Sequence, residues 1–250
     1  MTQARSEASF WSHPDAVTYY SANRQSADEL YPSEREFINK DLFALGSHLD
    51  VGCAAGGLAA VARQANPDVR FAGVDISSAM VETAQKRWPG YTFMVTDGAR
   101  LNFPDSAYAS VSCLGALHLT AFWKELLLEI WRVTASVAVF DLRLTAGNAI
   151  TDPAVSYQSL SYTGADADER IPYLVYPPDD VADVLRGLFP RPYRLDVTGY
   201  MHPPSRASRV PLPEICMTMF RLCKQAVALG GKPLAGGIYW NAPLRPRRIW

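Results

Sequence analysis

The segment from His48 to Gly57 constrains the fold of this chain more than any other stretch of its sequence. It reads HLDVGCAAGG: an apolar, strand-like run enters a turn of small residues, and a helix-like run begins at Gly57. Small side chains let a backbone approach a ligand closely, and a helix N-terminus offers free amides. The segment therefore predicts a ligand-binding strand–turn–helix. Taken alone, it also fits a dinucleotide fingerprint or a plain tight turn.

Strand-like and helix-like runs alternate between residues 48 and 141, which is typical of a doubly wound, mostly parallel sheet. The predicted strands are His48–Gly52, Val69–Asp75, Tyr91–Asp97, Ala109–Gly115 and Ser136–Asp141. The predicted helices between them are Gly57–Ala65, Ser78–Trp88 and Ala121–Val133. The sequence thus predicts an α/β, Rossmann-like fold with helices on both faces of the sheet.

The regular alternation ends after residue 141. Residues 145–178 are rich in Tyr, Gly, Pro and Asp, and we interpret them as an insertion that forms a lid over one edge of the sheet. We then expect a helix, a sixth strand and a second helix, namely Asp180–Phe189, Tyr193–Tyr200 and Pro213–Leu229. A seventh strand in the last dozen residues stays open, because Pro243 and Pro246 disfavour it.

The length of 250 residues, 48% of them hydrophobic, fits one domain with a sizeable core. We divide it into an N-terminal cap segment, a cofactor-binding core, the lid insertion and a C-terminal part of the sheet with a capping helix. The corresponding ranges are 1–45, 46–144, 145–178 and 179–250.

Composition excludes several classes of function. The net charge of -1 lacks the positive excess that favours nucleic acid, since the basic cluster near the C-terminus fits a solvated tail. No signal-peptide core and no run of about 18 apolar residues occurs, so we expect a soluble, cytoplasmic protein. The four cysteines show no CxxC pair or ligand spacing with His, which argues against a metal site and a disulfide framework. The oligomeric state is left open.

Three aspartates stand at the ends of the first three predicted strands: Asp50, Asp75 and Asp97. Asp50 would be awkward beside a pyrophosphate but suits a ligand with an ammonium group. Asp75 lies where an acidic residue can accept both hydroxyls of a ribose. Each aspartate alone fits a helix cap or turn cap, but three on successive strands favour a nucleoside-like, positively charged ligand.

Five short segments together form a recognisable set of motifs. They are Leu49–Cys53 with Gly56, Gly73–Met80, Asp97–Ala99, Leu114–Leu119 and Glu129–Val133. Together they resemble the class I S-adenosylmethionine (SAM)-dependent methyltransferases. The resemblance is to the small-molecule branch that includes the ubiquinone/menaquinone C-methylases and trans-aconitate methyltransferase, and it covers residues 20 to 145 approximately. It implies SAM as the cofactor and methyl transfer as the reaction.

The resemblance implies a role for each matching residue. The cofactor-binding residues would be Asp50 at the ammonium group, Gly52, Cys53, Ala54 and Gly56 at the methionyl part, Asp75 at the ribose, Ile76 and Met80 against the adenine, Asp97, Gly98 and Ala99 at the adenine nitrogens, and Cys113 at the pocket floor. Met80 also fits a plain core position. Ala54 replaces the central glycine of the family, which requires backbone angles that suit an L-residue. Thr134-Ala135-Ser136 replaces a Pro-Gly-Gly turn.

The candidate catalytic residues follow the fourth and fifth strands. His118 can serve as a base, although a histidine there can equally shape the loop. Asp141 and Arg143 can orient a polar acceptor. In the cap segment, Arg24 can pair with the cofactor carboxylate, or it can be a surface arginine.

Aromatic residues predict the acceptor side of the site. The candidate substrate-binding residues are Tyr20, Trp123, Tyr157, Tyr162, Tyr173 and His202; the lid tyrosines, with Tyr176, can also simply pack the insertion. They favour a small, apolar or aromatic metabolite methylated on O, N or C, as in natural-product biosynthesis.

Four alternatives remain at this point. The chain could use SAM for another chemistry, such as cyclisation or decarboxylation, or it could methylate RNA. It could also bind SAM without catalysis, as a partner subunit. A nicotinamide dehydrogenase is disfavoured, because the glycine spacing lacks a full GxGxxG.

Overall fold

A computed structural model of the chain describes residues 3–96, 99–160 and 170–249. Its centre is an eight-stranded sheet in the order β3-β2-β1-β4-β5-β10-β8-β13. These strands are β1 (Ser47–Val51), β2 (Arg70–Asp75), β3 (Thr92–Val95), β4 (Tyr108–Cys113), β5 (Thr134–Leu144), β8 (Arg194–His202), β10 (Ile215–Cys223) and β13 (Gly237–Asn241). All run parallel to their neighbours except β10, which is antiparallel to both β5 and β8.

Helices cover both faces of this sheet. They are α1 (Gln3–Trp11), α2 (Pro14–Ala22), α3 (Pro32–Phe37), α4 (Lys40–Phe43), α5 (Gly57–Ala65), α6 (Ser78–Arg87), α7 (Trp123–Val133) and α8 (Pro178–Arg186), with short 3-10 helices at Ala27–Glu29 and Leu117–Leu119. Side chains of a strand alternate between faces. Ala138 and Phe140 of β5 therefore join the core under α7 and α8, whereas Val137 and Val139 join the core under α3 to α6. The predicted doubly wound α/β fold is confirmed.

The predicted strands and helices of the core lie within three residues of the observed ones. The helix predicted over Pro213–Leu229 is wrong, because this segment forms strand β10. β10 is an interior strand whose side chains are mostly buried on both faces, so its apolar run shows no alternation. Periodicity alone cannot distinguish such a run from a buried helix segment. There is consequently no capping helix there, and β13 ends the sheet before Pro243.

The remaining short strands are β6 (Tyr157–Ser159), β7 (Arg170–Pro172), β9 (Ser208–Arg209), β11 (Ala228–Leu229) and β12 (Lys232–Pro233). β6 pairs with β7 and β9, so two strands of the 145–178 insertion form a small sheet together with residues 208–209. A third apolar cluster joins this small sheet to the cap segment. It includes Phe10 of α1, Ala16 of α2, Ile171 of β7 and Ile215 of β10.

Candidate functional site

A cavity of about 1030 Å³ opens at the carboxyl ends of the central strands. Its floor comes from the residues that follow β1, β2, β4 and β5. Its roof comes from the cap segment, from β6 and from the loop around Ser208. The carboxyl ends of parallel strands form the usual ligand-binding edge of a doubly wound sheet. Several residues predicted for the site line this cavity.

The turn between β1 and α5 repeats a left-handed conformation at every second residue. The φ angles of Gly52, Ala54 and Gly56 are 75°, 45° and 76°. A Cβ atom on Gly52 would lie 2.9 Å from the Cβ of Ala116, so this position also needs glycine for space. Ala54 does not have the backbone angles preferred by an L-residue. It keeps the conformation of the glycine that the family has there, at the cost of strain.

The cap segment packs directly on this turn. A Cβ on Gly57 would lie 2.5 Å from the backbone oxygen of Asn23, so only glycine leaves room for the cap. The next residue, Arg24, donates from Nη2 to Oε1 of Glu34 at 2.6 Å. Burial alone would lower the pKa of Arg24, but Glu34 and Asp141 more than offset it and raise the pKa. A fixed positive charge therefore lies at the cavity.

Asp50 and Asp75 end neighbouring strands, and both line the cavity. Oδ1 of Asp50 accepts from the Ser112 hydroxyl at 2.8 Å. The two carboxylate oxygens of Asp75 accept from the backbone amides of Ser77, at 2.9 Å, and Ala54, at 2.8 Å. Burial raises the pKa of Asp50 to about 7, against the lowering effects of Ser112 and Arg24. Burial likewise raises the pKa of Asp75.

Asp141 and Arg143 form a buried ion pair on β5. Nη1 of Arg143 donates to Oδ2 of Asp141 at 2.5 Å, and Gly115 N donates to Oδ1 at 2.6 Å. Burial alone would raise the pKa of Asp141, but Arg143, His118 and the Gly115 amide together lower it. Nε of Arg143 donates to the Tyr173 hydroxyl at 3.2 Å. Arg143 and Tyr173 line the cavity, while Asp141 holds them from behind.

His118 follows β4 and lies with its ring edge-on to Tyr173, the centroids 4.8 Å apart. It is 3% exposed, and its Nδ1 is buried without a hydrogen-bond partner. Burial, followed by the charge of Arg143, lowers the pKa of His118 well below its usual value. The imidazole is therefore neutral at physiological pH and can accept a hydrogen bond.

The structure brings most of the predicted site residues to one cavity. The residues that line it are Tyr20, Arg24, Asp50, Gly52, Cys53, Ala54, Asp75, Ile76, Met80, His118, Arg143, Tyr173 and His202. Gly56, Ala99, Cys113 and Tyr157 are not among the lining residues. Asp97, Gly98 and Tyr162 lie outside the described residues.

Trp123 is not brought to the cavity. It is 1% exposed in the core under α7, where its ring packs against Tyr176 with the centroids 4.9 Å apart. Tyr157 instead packs its ring under the guanidinium of Arg170, 4.2 Å from the ring centroid. Trp123 and Tyr176 thus contribute to packing. For Tyr176, packing was one of the two roles that the sequence left open.

Several lining residues were not predicted, namely Glu7, Trp11, Gln158, Tyr200, Ser208 and Met217. Glu7 is the most unusual of them, because it is a carboxylate that is 5% exposed with its Oε1 unpartnered. Burial raises its pKa, opposed by hydrogen bonds with Thr120 and Ala121. Its only sequence signal is an acidic residue among Ala, Ser and aromatic residues in the first helix. That signal does not say where the helix docks.

Residues 49–136 match the model of a protein family described as a methyltransferase domain. A solved SAM-dependent methyltransferase from Methanosarcina mazei shares the fold, with a TM-score of 0.51 at 17% identity, over 78% of this chain and 98% of that one. Residues 49–136 therefore match a methyltransferase domain, and the chain shares its fold with this solved SAM-dependent methyltransferase. The glycine turn, Asp50, Asp75 and His118 lie inside this methyltransferase domain, whereas Glu7 and Arg143 lie outside it.

The relatives of the methyltransferase domain are varied. The demethylmenaquinone methyltransferase of Symbiobacterium thermophilum is 34% identical over 127 residues, which cover 47% of this chain and 51% of that relative. The chain thus spans about half the length of this curated relative. The phosphoethanolamine N-methyltransferase 2 of Haemonchus contortus was solved with phosphomonomethylethanolamine and S-adenosylhomocysteine (SAH). It has a TM-score of 0.50 at 13% identity, over 71% of this chain and 48% of that one.

Three further findings concern the described residues alone. They include no group of three or more His, Cys, Asp or Glu side chains placed to hold a metal ion. None of the described helices is long and apolar enough to cross a membrane. All four cysteines are buried free thiols.

Proposed function

We propose that this chain transfers the methyl group of SAM to a small-molecule acceptor. The observation that carries the proposal is the placement of Asp50 and Asp75. These two buried carboxylates end neighbouring strands, beside a left-handed glycine turn, in one cavity. One carboxylate can offer a negative charge to an ammonium group, and the other can offer hydrogen-bond acceptors to a ribose. The two lie close enough for a single ligand to reach both.

The residues of the cavity fit this cofactor. A volume of about 1030 Å³ lies at the upper end for ligand pockets, which leaves room for the cofactor and a small acceptor together. Asp50 would hold the ammonium group and Arg24 the carboxylate, while Asp75 would accept from the ribose. Ile76 and Met80 would pack against the adenine. When bound, SAM supplies a methyl group on a positively charged sulfur, open to in-line displacement.

The chain's own contribution to such a reaction is orientation and exclusion of water. The cap segment and the 145–178 insertion, which share one apolar cluster, would close the cavity over both ligands. The pair of Asp141 and Arg143 is neutral overall and fixed by Gly115, so it can orient the Tyr173 hydroxyl without adding net charge.

A small acceptor is supported by the lining beyond the proposed cofactor site. Aromatic and apolar side chains there, such as Tyr20, Ile215 and Met217, suit a planar or apolar body. Two polar groups stand among them: the neutral imidazole of His118 and the carboxyl group of Glu7, whose Oε1 has no hydrogen-bond partner. An acceptor with a hydroxyl or amino group would give these side chains a hydrogen-bond donor. In this proposal His118 would receive the proton that a hydroxyl loses on methylation.

The first experiment tests the cofactor site. Asp75→Asn keeps the shape of the side chain and one carbonyl acceptor but removes the charge and one acceptor. We expect it to weaken SAH binding, measured by calorimetry, by about tenfold or more, since hydrogen bonds to a charged group contribute about 1.5–3 kcal/mol. Asp196→Asn, which alters a carboxylate that is absent from the cavity lining, serves as the control. Unchanged SAH affinity in Asp75→Asn would refute the placement of the cofactor.

The second experiment tests the reaction. Methyl-labelled SAM is incubated with the enzyme and a panel of phenols, amines and carbon acids, and transfer of the label is followed. Label in the product supports methyl transfer. SAM binding without any transfer, or conversion of an acceptor without the label, would refute it.

A further inference from the structure

His48 is a fully buried histidine inside the central sheet, at the start of β1. It is 0% exposed, stacks on Phe71 at 5.5 Å between centroids and meets Phe43 edge-on. Burial lowers its pKa to about 3, so the ring is neutral. Burying the two polar nitrogens of an imidazole costs free energy unless both form hydrogen bonds. Without such partners, a leucine or phenylalanine at this position would make the fold more stable.

Both nitrogens do have partners, and both partners are serines of the neighbouring strand β4. Nδ1 lies 2.8 Å from Oγ of Ser110, and Nε2 lies 2.9 Å from Oγ of Ser112. The chain of contacts continues to the site, because the Ser112 hydroxyl donates to Oδ1 of Asp50 at 2.8 Å. The two serines and His48 are all 0% exposed.

The direction of these hydrogen bonds follows from counting protons. A serine hydroxyl has one proton, and that of Ser112 goes to the Asp50 carboxylate. Nε2 of His48 must therefore carry a proton and donate to Ser112, and Nδ1 must accept from Ser110. Every bond in the row then donates towards Asp50. Aligned hydrogen bonds polarise one another in a low-dielectric interior.

We propose that His48 is a positioning residue for Asp50 and acts on it through Ser112. The hydrogen-bonded row favours the ionised carboxylate and orients it towards the place where the cofactor's ammonium group would bind. This inference rests on the proposed function, because it assigns a purpose to the charge of Asp50. His48 itself is not among the residues that line the cavity.

The row has a second arrangement when Asp50 is protonated. Asp50 then donates to Ser112, Ser112 donates to Nε2 of His48, and Nδ1 donates to Ser110. The Ser110 hydroxyl can then donate a hydrogen bond to the backbone oxygen of Ser47, 3.2 Å away. The tautomer of His48 thus reports the charge of Asp50. The charged groups around Asp50 are Arg24, which favours its ionised form, and Asp75 and Glu34, which oppose it.

Two variants of similar size separate the effect of the His48 N–H donor from the effect of its side-chain volume. Gln and Met have similar shapes, but only Gln keeps an N–H near the position of Nε2. We expect His48→Met to weaken SAH binding, measured by calorimetry at pH 7, by about threefold to tenfold, and His48→Gln by less than about twofold. Thermal denaturation checks that both variants fold. Equal affinities in the two variants would overturn the proposal.

A double-mutant cycle tests the route through Ser112. Ser112→Ala alone is expected to weaken SAH binding by about tenfold, since it removes a hydrogen bond to a charged group. Adding His48→Met to Ser112→Ala should then have no further effect, because the connection is already broken. If the double variant instead lost affinity by the product of the two single losses, His48 would act by another route.

A measurement on the unchanged protein keeps this inference separate from the cofactor assignment. Nitrogen NMR of the histidine-labelled enzyme should find His48 protonated at Nε2 above the pKa of Asp50 and at Nδ1 below it. SAH should move this change to lower pH. If the tautomer of His48 does not change with pH, the proposed row of hydrogen bonds is wrong. Absence of SAH binding, with the tautomer change intact, refutes the proposed function instead.

Discussion

Ala54 holds a left-handed conformation that a glycine would adopt without strain. Its φ of 45° lies between those of Gly52 and Gly56, and its amide donates to Asp75. For an L-residue this region costs about 1–2 kcal/mol. The strain persists because the turn, the cap segment and the Asp75 carboxylate together determine the backbone path.

We therefore expect Ala54→Gly to stabilise the folded protein. The gain should be up to about 1 kcal/mol, since the relieved strain exceeds the additional chain entropy of glycine, about 0.5–1 kcal/mol. Chemical denaturation measures it. Gly52→Ala is the opposite control and should destabilise, because its Cβ would lie 2.9 Å from that of Ala116. If Ala54→Gly were less stable than the unchanged protein, the inferred backbone strain at Ala54 would be wrong.

At the same scale, sequence reasoning located some site residues and missed others for a clear reason. Asp50 and Asp75 could be predicted because the carboxyl ends of adjacent parallel strands always meet at one edge. Glu7 could not, since its position depends on how α1 docks, which no local pattern encodes. Trp123 was assigned to the cavity from its place after β4, but its side chain turns into the core.

Among the elements, the cap helices are attached to the rest of the molecule by a small apolar cluster. Phe10 of α1 is 1% exposed and packs in this cluster with Met80 and Ile171. Among the side chains that the structure describes, none from α1 or α2 belongs to the two main cores under the sheet. This separation suggests that the cap can open without global unfolding.

We expect Phe10→Ala to loosen α1 and α2 selectively. Hydrogen exchange of α1 and α2 should accelerate, while the amides of β1, β4 and β5 keep their protection. SAH affinity should fall, because the cap carries Arg24 and roofs the cavity. Phe43→Ala, in the core under α3 to α6, is the control and should lower global stability by about 3–5 kcal/mol. Uniform loss of protection in Phe10→Ala would contradict a separate cap.

β10 shows the limit of sequence reasoning at this scale. The parallel strands could be recognised by the turns and helices that separate them. β10 is flanked on both sides by sheet neighbours and is covered on both faces, so no alternation remains in its sequence. Its antiparallel direction arises from long-range pairing with β5 and β8, which spacing along the chain does not reveal.

On the scale of the whole molecule, the buried site carboxylates cost stability. Burial raises the pKa of Asp50 to about 7 from the ordinary value of 3.8. A carboxyl with a raised pKa contributes most to folding below its unfolded pKa, and this contribution is lost as the pH rises through the folded value. The free protein should therefore lose stability between about pH 4 and 7 through this group.

Asp50→Asn, which cannot ionise, isolates this effect. The stability difference between Asp50→Asn and the unchanged protein should be small near pH 4 and grow in favour of the variant up to pH 7. It should reach about 4 kcal/mol at most, because one pKa unit corresponds to about 1.4 kcal/mol. Thermal or chemical denaturation across this range measures it. The same variant should bind SAH more weakly. A difference that does not change with pH would contradict the raised pKa.

The floor of the cavity is part of the sheet, whereas its roof is made of segments that the sheet does not need. Most of the floor belongs to strands of the two main cores, whereas α1, α2 and β7 pack through a separate cluster. Substitutions in α1, β6 or the loop at Ser208 can thus reshape the acceptor space while leaving the cofactor's half intact. In this architecture, new acceptor preferences can evolve, or be engineered, without rebuilding the catalytic scaffold.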